Sequence, residues 1–261
     1  MYSHHTQSIQ NVTEYFQRDP EVLALLLGGS IAHGFETSTS DVDIMMLVSD
    51  EDHKKRLESN RVHFFNRDLC TYEGGYVDGK YLSPSFIEQV KQKGSEPARF
   101  AFQGSRVLFS RVHSLDEEIC QVAQYPSAEK AERIRRFYAQ FEAWHWYCTE
   151  SLRLKNQYLL GTSVSKFILF SGRLILAYNE MLYPYHKWFL RVLENANDKP
   201  DGLLNAIQQL DTSSTIENVD CLYEKIKSFQ PWIQGEFSWP TQFMFDSELN
   251  WMDGKTPVED L

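Results

Sequence analysis

Long apolar runs, clustered cysteines and surplus positive charge are all scarce in this chain of 261 residues. No stretch reaches the roughly eighteen consecutive apolar residues that cross a bilayer as a helix. The polar opening Met1-Tyr2-Ser3-His4-His5 lacks the apolar core of a secretory leader. A cytoplasmic protein that engages no membrane is the expectation. The cysteines Cys70, Cys120, Cys148 and Cys221 are widely scattered with no Cys-x-x-Cys pair. That spacing argues against a disulfide framework and against a zinc site. Lys and Arg number 26 against 36 Asp and Glu, a formal net charge of −10. Binding to DNA or bulk RNA relies on basic surface to neutralise phosphates, so neither is an expected partner. Internal repeats and low-complexity segments are lacking too. What the chain has is a 42% hydrophobic, 14% aromatic composition, enough to bury the core of one large or two modest domains.

The most informative stretch is residues 28–43, in which Gly28-Gly29-Ser30-Ile31-Ala32-His33-Gly34 is followed, after Phe35 to Ser40, by Asp41-Val42-Asp43. The apolar run Val22 to Leu27, bounded by Pro20 and Gly28, reads as a buried strand that feeds the glycine turn. Glycines let the backbone approach a ligand closely, and Ser30 adds a hydroxyl donor, so the turn suits phosphate oxygens. Asp41 and Asp43 open a second apolar run, Val42 to Val48. Residues i and i+2 of a strand share a face, so both carboxylates point one way and Val42 the other. Converging carboxylates repel unless a hard cation lies between them, and Mg²⁺ is the usual choice where phosphates complete the shell.

Gly-Gly-Ser-x-Ala-x-Gly followed by Ser-Asp-x-Asp resembles the signature of the polymerase-beta-like nucleotidyltransferase superfamily, in particular its small-molecule branch of aminoglycoside and lincosamide nucleotidyltransferases. The resemblance implies an α+β fold: an N-terminal nucleotidyltransferase domain with a mixed sheet over residues 1–124, then an all-helical bundle over residues 125–261. It implies transfer of a nucleoside monophosphate, AMP being the expected one, from a triphosphate such as ATP to a hydroxyl of a small acceptor. Gly29 and Ser30 would hold the triphosphate, and Asp41 and Asp43 the metal, with two Mg²⁺ ions expected.

That family also uses a third carboxylate on a neighbouring strand. Tyr72 to Leu82 alternates aromatic and aliphatic residues with polar ones, and Asp78 lies within it, flanked by Val77 and Tyr81. Asp78 suits a metal ligand or the base that takes the acceptor's proton. A competing reading makes Val77-Asp78-Gly79-Lys80 a hairpin turn, because Asp-Gly favours turns. Glu73 is then the reserve carboxylate.

Helices are expected over Thr6–Gln17, after Ser49 and after Ser83, with further strands near 76–82 and 106–109 and a boundary near Tyr125-Pro126. Beyond it, Ile134, Phe137, Phe141, Trp144 and Tyr147 recur at helical spacing from Ser127 to about Asn156. A second helix is expected over Ser163–Leu182, with more near 187–194, 201–210 and 216–228. Trp232, Trp239 and Trp251 fall in a proline-broken tail. The aromatic stripe reads first as core, although Trp144, Trp146 and Tyr147 also suit an acceptor pocket.

Residues 125–191 carry ten Lys and Arg against five acids, whereas residues 235–261 carry six acids against Lys255. A basic helical face would suit a triphosphate, and an acidic cleft a cationic acceptor such as an aminoglycoside. Lys187, in the proline-interrupted segment Met181 to Trp188, is a candidate for neutralising triphosphate charge. Two rival functions are an antitoxin-type transferase acting on a protein or tRNA end, and a non-catalytic nucleotide-binding regulator. A fused RNase-type toxin module is disfavoured, since Arg136 and His145 lie too far apart for its arginine–histidine motif.

Overall fold

The sheet forms because four short runs rich in aliphatic residues and one short aromatic run, His63–Asn66, alternate with turn-forming and helix-capping residues. In the computed structural model, which describes residues 1–254, the elements group into two compact units, Met1–Tyr125 and Pro126–Leu261. In the first unit they run α1 (Ser3–Gln17), β1 (Ala24–Leu27), α2 (Gly29–His33), β2 (Val42–Leu47), α3 (Asp50–Glu58), β3 (His63–Asn66) and β4 (Val77–Leu82). There follow α4 (Pro84–Lys93), α5 (Glu96–Phe100), β5 (Arg106–Ser110) and α6 (Leu115–Val122). The strand order is β3-β4-β2-β1-β5, with β2 and β4 parallel and every other pairing antiparallel.

Both faces of this mixed sheet are partly covered. Ile9, Val12 and Phe16 of α1 pack with Leu25, Leu27, Ile44, Met46 and Val77 on one face. On the other, Ala24, Leu26, Met45, Leu47 and Leu82 meet Ile87 and Val90 of α4 and Ile119 and Val122 of α6. The strand period of two sorts alternate residues to opposite cores, which is why β1 is apolar at every position. Serines fix several starts: Ser49, Ser83 and Ser95 each accept a backbone N–H at the first turn of α3, α4 and α5.

Local expectations meet several corrections here. β3 was not anticipated, because His63-Phe64-Phe65-Asn66 is only four residues long and has an exposed edge face. Tyr72–Tyr76 is not part of β4 but a turn closed by the Gly75 N–H on the Tyr72 carbonyl (3.1 Å). The expected strand near 76–82 is present, with Asp78 inside β4, and the competing hairpin turn does not form there. Gly79 is there for a different reason: a Cβ at that position would meet Ile44 Cγ1 at 2.6 Å and the Ile44 carbonyl at 2.9 Å, so only glycine lets β4 lie this close to β2.

The second unit is helical: α7 (Lys130–Leu154), α8 (Gln157–Tyr178), α9 (Phe189–Glu194), α10 (Leu203–Thr212), α11 (Ile216–Lys227) and α12 (Trp239–Phe243). α7 is preceded by a 3-10 turn over Ser127–Glu129. α8 begins six residues before the expected Ser163, because Asn156 accepts the Leu159 N–H as its cap, and it stops at Tyr178 rather than Leu182. By length and composition α8 could cross a membrane, yet over half of its apolar window is buried within the unit, as a core helix among α7, α9, α10 and α11 would be. In the tail, Trp232 is buried and donates from Nε1 to the Ile226 carbonyl (2.8 Å), while Trp251 is exposed. The end of the acidic tail, with Lys255, Glu259 and Asp260, lies outside the described residues.

Candidate functional site

Three carboxylates converge where the neighbouring interior strands β2 and β4 begin. Asp43 of β2 pairs in register with Asp78 of β4, and directly paired residues on adjacent strands share a face. Asp41 lies two residues before Asp43 and so shares that face. One oxygen from each of Asp41, Asp43 and Asp78 can be chosen so that all lie within 4.8 Å of one another, and all three residues are half-buried. Unit charges that close repel by roughly 3 kcal/mol per pair at an effective dielectric of about 20, less where water reaches Asp78. An all-oxygen, anionic donor set of this kind suits a hard divalent cation, Mg²⁺ above softer metals.

The glycine turn abuts this cluster. Gly28 donates its N–H to the Asp43 carbonyl (2.9 Å), which ties the end of β1 to β2. Gly29 has φ +61°, and a Cβ there would lie 1.7 Å from Asp43 Oδ2. Only a glycine backbone can come this close to the carboxylate. His33 fixes the turn from the far side: its Nδ1 donates to the Gly29 carbonyl (2.7 Å), and its ring stacks on Phe100 at 4.5 Å with planes 10° apart. Ser30 is 4% exposed, and its Oγ has no hydrogen-bond partner among the described residues. A buried hydroxyl without a partner costs free energy that a ligand oxygen at the turn would recover. Ser30→Ala is therefore expected to weaken nucleotide binding by about 1–3 kcal/mol, the scale of a hydrogen bond to a charged group, without destabilising the nucleotide-free protein. Calorimetric titration with a non-hydrolysable triphosphate together with thermal melting checks both halves; unchanged affinity would refute the assignment.

The loop that delivers Asp41 is held by side chains far away in sequence. His4 Nε2 donates to the Ser38 carbonyl (3.0 Å) and His5 Nε2 to the Ser40 carbonyl (3.0 Å), and the Tyr72 hydroxyl also donates to Ser40. Burial lowers the His5 pKa, so the neutral ring that this core position requires is favoured. Tyr76, just before β4, senses the cluster directly: the Asp41 charge is the largest cause of its raised pKa.

Of the residues singled out from sequence, Gly29, Ser30, Asp41, Asp43 and Asp78 come together in the first unit. Glu73 is exposed in the Tyr72–Tyr76 turn and is not in the carboxylate cluster. Lys187 belongs to the second unit, in a 3-10 turn over His186–Trp188, with its ammonium 5.4 Å from the Trp188 ring centre. Three residues on the carboxylate face were missed. His63 Nε2 donates to Asp78 Oδ1 (2.6 Å), while Phe65 pairs in register with Asp78 and Lys80 follows it by two. The alternation His63-x-Phe65 was the available signal, hidden by the shortness of β3.

Comparison with known proteins agrees with the motif. Residues 10–94 match the family described as polymerase beta, nucleotidyltransferase. A solved structure of a nucleotidyltransferase-like protein from Exiguobacterium sibiricum 255-15 aligns over 98% of this chain and 83% of its own, with 11% identity and a TM-score of 0.48. No curated protein matches the chain.

Proposed function

The chain carries a polymerase-beta-type nucleotidyltransferase domain over residues 10–94, and from that premise we propose that it is a Mg²⁺-dependent enzyme transferring AMP from ATP to a hydroxyl of a small molecule, the class of acceptor taken by antibiotic-modifying relatives. The observation that carries this reading is the approach of Asp41, Asp43 and Asp78 within 4.8 Å, beside a turn whose Gly29 leaves no room for a side chain against Asp43.

Asp41, Asp43 and Asp78 would hold Mg²⁺, which when bound supplies positive charge to the reacting phosphate and acidifies the acceptor hydroxyl. The residues of the chain supply positioning. The Gly28–Ser30 turn and the Ser30 hydroxyl grip the β- and γ-phosphates, leaving the α-phosphorus above the carboxylates. The acceptor oxygen bonds to the α-phosphorus as the bond to the β-phosphate oxygen breaks. Pyrophosphate departs, and the hydroxyl proton passes to Asp78 or to water. Asp78 is suited to that role because His63 already fixes its orientation through Oδ1, leaving Oδ2 for the proton or the metal. The net charge of −10 accords with an acceptor other than DNA.

The test is incubation of the full chain with α-labelled nucleoside triphosphates and a panel of hydroxylated small molecules, with and without EDTA. Label should move to an acceptor from ATP and only with divalent metal; label retained throughout on nucleotide or moved equally in EDTA would refute the reading. Asp78→Asn should lower transfer at saturating Mg²⁺ and ATP by about a hundredfold, the low end for loss of a general base or metal ligand. Glu73→Gln should be silent. The reverse pattern would move the third carboxylate to Glu73.

A further inference from the structure

The carboxylate face of the sheet continues past the metal cluster onto β4 and the edge strand β3, and there its chemistry changes sign. Lys80 follows Asp78 by two residues and so shares its face, in register with Met45 on one side and His63 on the other. Its side chain is solvent-accessible, yet no hydrogen-bond or ion-pair partner holds its ammonium among the described residues. Protein crowds it closely enough that desolvation lowers its pKa, against the opposing pull of the Asp43 charge. Beside it, Phe65 is 51% exposed although it sits in the ladder directly opposite Asp78. Its ring meets Tyr76 at 5.3 Å, and the Arg67 guanidinium lies 5.8 Å from its centre. An exposed phenylalanine backed by a second ring presents a flat apolar surface to a ligand.

Strand order assigns the sides of the cleft. The triphosphate turn lies at the end of β1, on one flank of β2, whereas Lys80, His63 and Phe65 lie on the other flank, beyond Asp78. A molecule over β3 and β4 is therefore across the metal cluster from the departing pyrophosphate, where the acceptor must be for in-line displacement.

Resting on the transferase reading, we propose that the β3–β4 face is the acceptor subsite and that it takes a small ring-bearing alcohol with an anionic group, a phosphate or a carboxylate, with the ring on Phe65 and the anion on Lys80. The fixed charges of this strip outside the carboxylate cluster are Lys80 and the flanking Arg67, which repel a polycation such as an aminoglycoside and attract an anion. The unpartnered ammonium of Lys80 is the group such an anion would satisfy.

The experiment titrates the full chain, first saturated with Mg²⁺ and a non-hydrolysable ATP analogue, with four probes: glucose 6-phosphate, glucose, glycerol 3-phosphate and kanamycin. Glucose 6-phosphate should bind at least about tenfold more tightly than glucose, the low end for a hydrogen bond to a charged group, and more tightly than glycerol 3-phosphate or kanamycin. Lys80→Ala should erase the preference for phosphate, Lys80→Arg should keep most of it, and Phe65→Ser should erase the preference for the ring. All three should leave the affinity for the ATP analogue within about twofold, since it lies across the metal cluster. Kanamycin binding more tightly than glucose 6-phosphate, or Lys80→Ala leaving the probes in the same order, would overturn the proposal. A Lys80→Ala loss confined to the ATP analogue would overturn it by moving the lysine to the triphosphate. Failure of the analogue itself to bind in the first step would instead refute the transferase reading, a visibly different result.

Discussion

Asp43→Asn is expected to lower Mg²⁺-dependent transfer by about a thousandfold or more, which at 1.36 kcal/mol per decade is roughly 4 kcal/mol of transition-state stabilisation. Asparagine keeps the shape of the side chain in β2 but removes one of three charges that lie within 4.8 Å of each other. The same logic predicts the sign of two stability effects. Without metal, three close carboxylates repel, so the variant should melt at the same temperature as the parent or higher. With Mg²⁺, the parent should gain melting temperature by binding the ion, and the variant should gain much less. Asp41→Asn should behave alike. Thermal melts with and without Mg²⁺, run beside the transfer assay, check all three outcomes; turnover within tenfold of the parent would remove these carboxylates from the catalytic role.

The glycine turn and the Asp-x-Asp pair were legible because each depends on local rules. Two glycines and a serine after an apolar strand can be read one residue at a time, and the period of a strand places Asp41 and Asp43 together without knowledge of their neighbours. Asp78 was harder. Its meeting with Asp43 depends on a parallel pairing of β2 with β4, made across 35 residues and invisible to any local pattern. The Asp78-Gly79 pair pointed toward a turn, and only the contact of Gly79 with Ile44 explains why glycine is required in mid-strand.

β3 is an edge strand of only four residues, and its alternation of exposed His63 and Phe65 with half-buried Phe64 and Asn66 is too short to stand out from a loop. The support of the Asp41 loop was likewise out of reach, because His4 and His5 meet Ser38 and Ser40 across more than thirty residues. In the second unit, helical period located every long helix but not its ends. Ends follow caps, and the Asn156 cap sits ahead of the apolar stripe that drew the eye to Ser163.

Gly29→Ala is expected to be nearly as damaging as loss of Asp43, and Gly28→Ala nearly harmless, although the two glycines are adjacent. At Gly29 the backbone has φ +61°, a region that costs an alanine about 1 kcal/mol or more. The added methyl would also lie 1.7 Å from Asp43 Oδ2 and 2.3 Å from its Cγ, closer than any real contact. Either the turn withdraws from the sheet or the Asp43 side chain rotates away from Asp41 and Asp78. Both outcomes dismantle the carboxylate cluster, so transfer and the Mg²⁺-induced rise in melting temperature should fall together. At Gly28 φ is −120°, and a methyl would find Met45 Cε at 3.5 Å, an ordinary contact with the flexible end of a side chain. Its melting temperature and turnover should stay close to the parent's. Measured side by side, the pair separates close approach to a carboxylate from a general need for glycine flexibility: equal damage at both positions would mean that the turn needs flexibility, and that the contact of Gly29 with Asp43 is incidental.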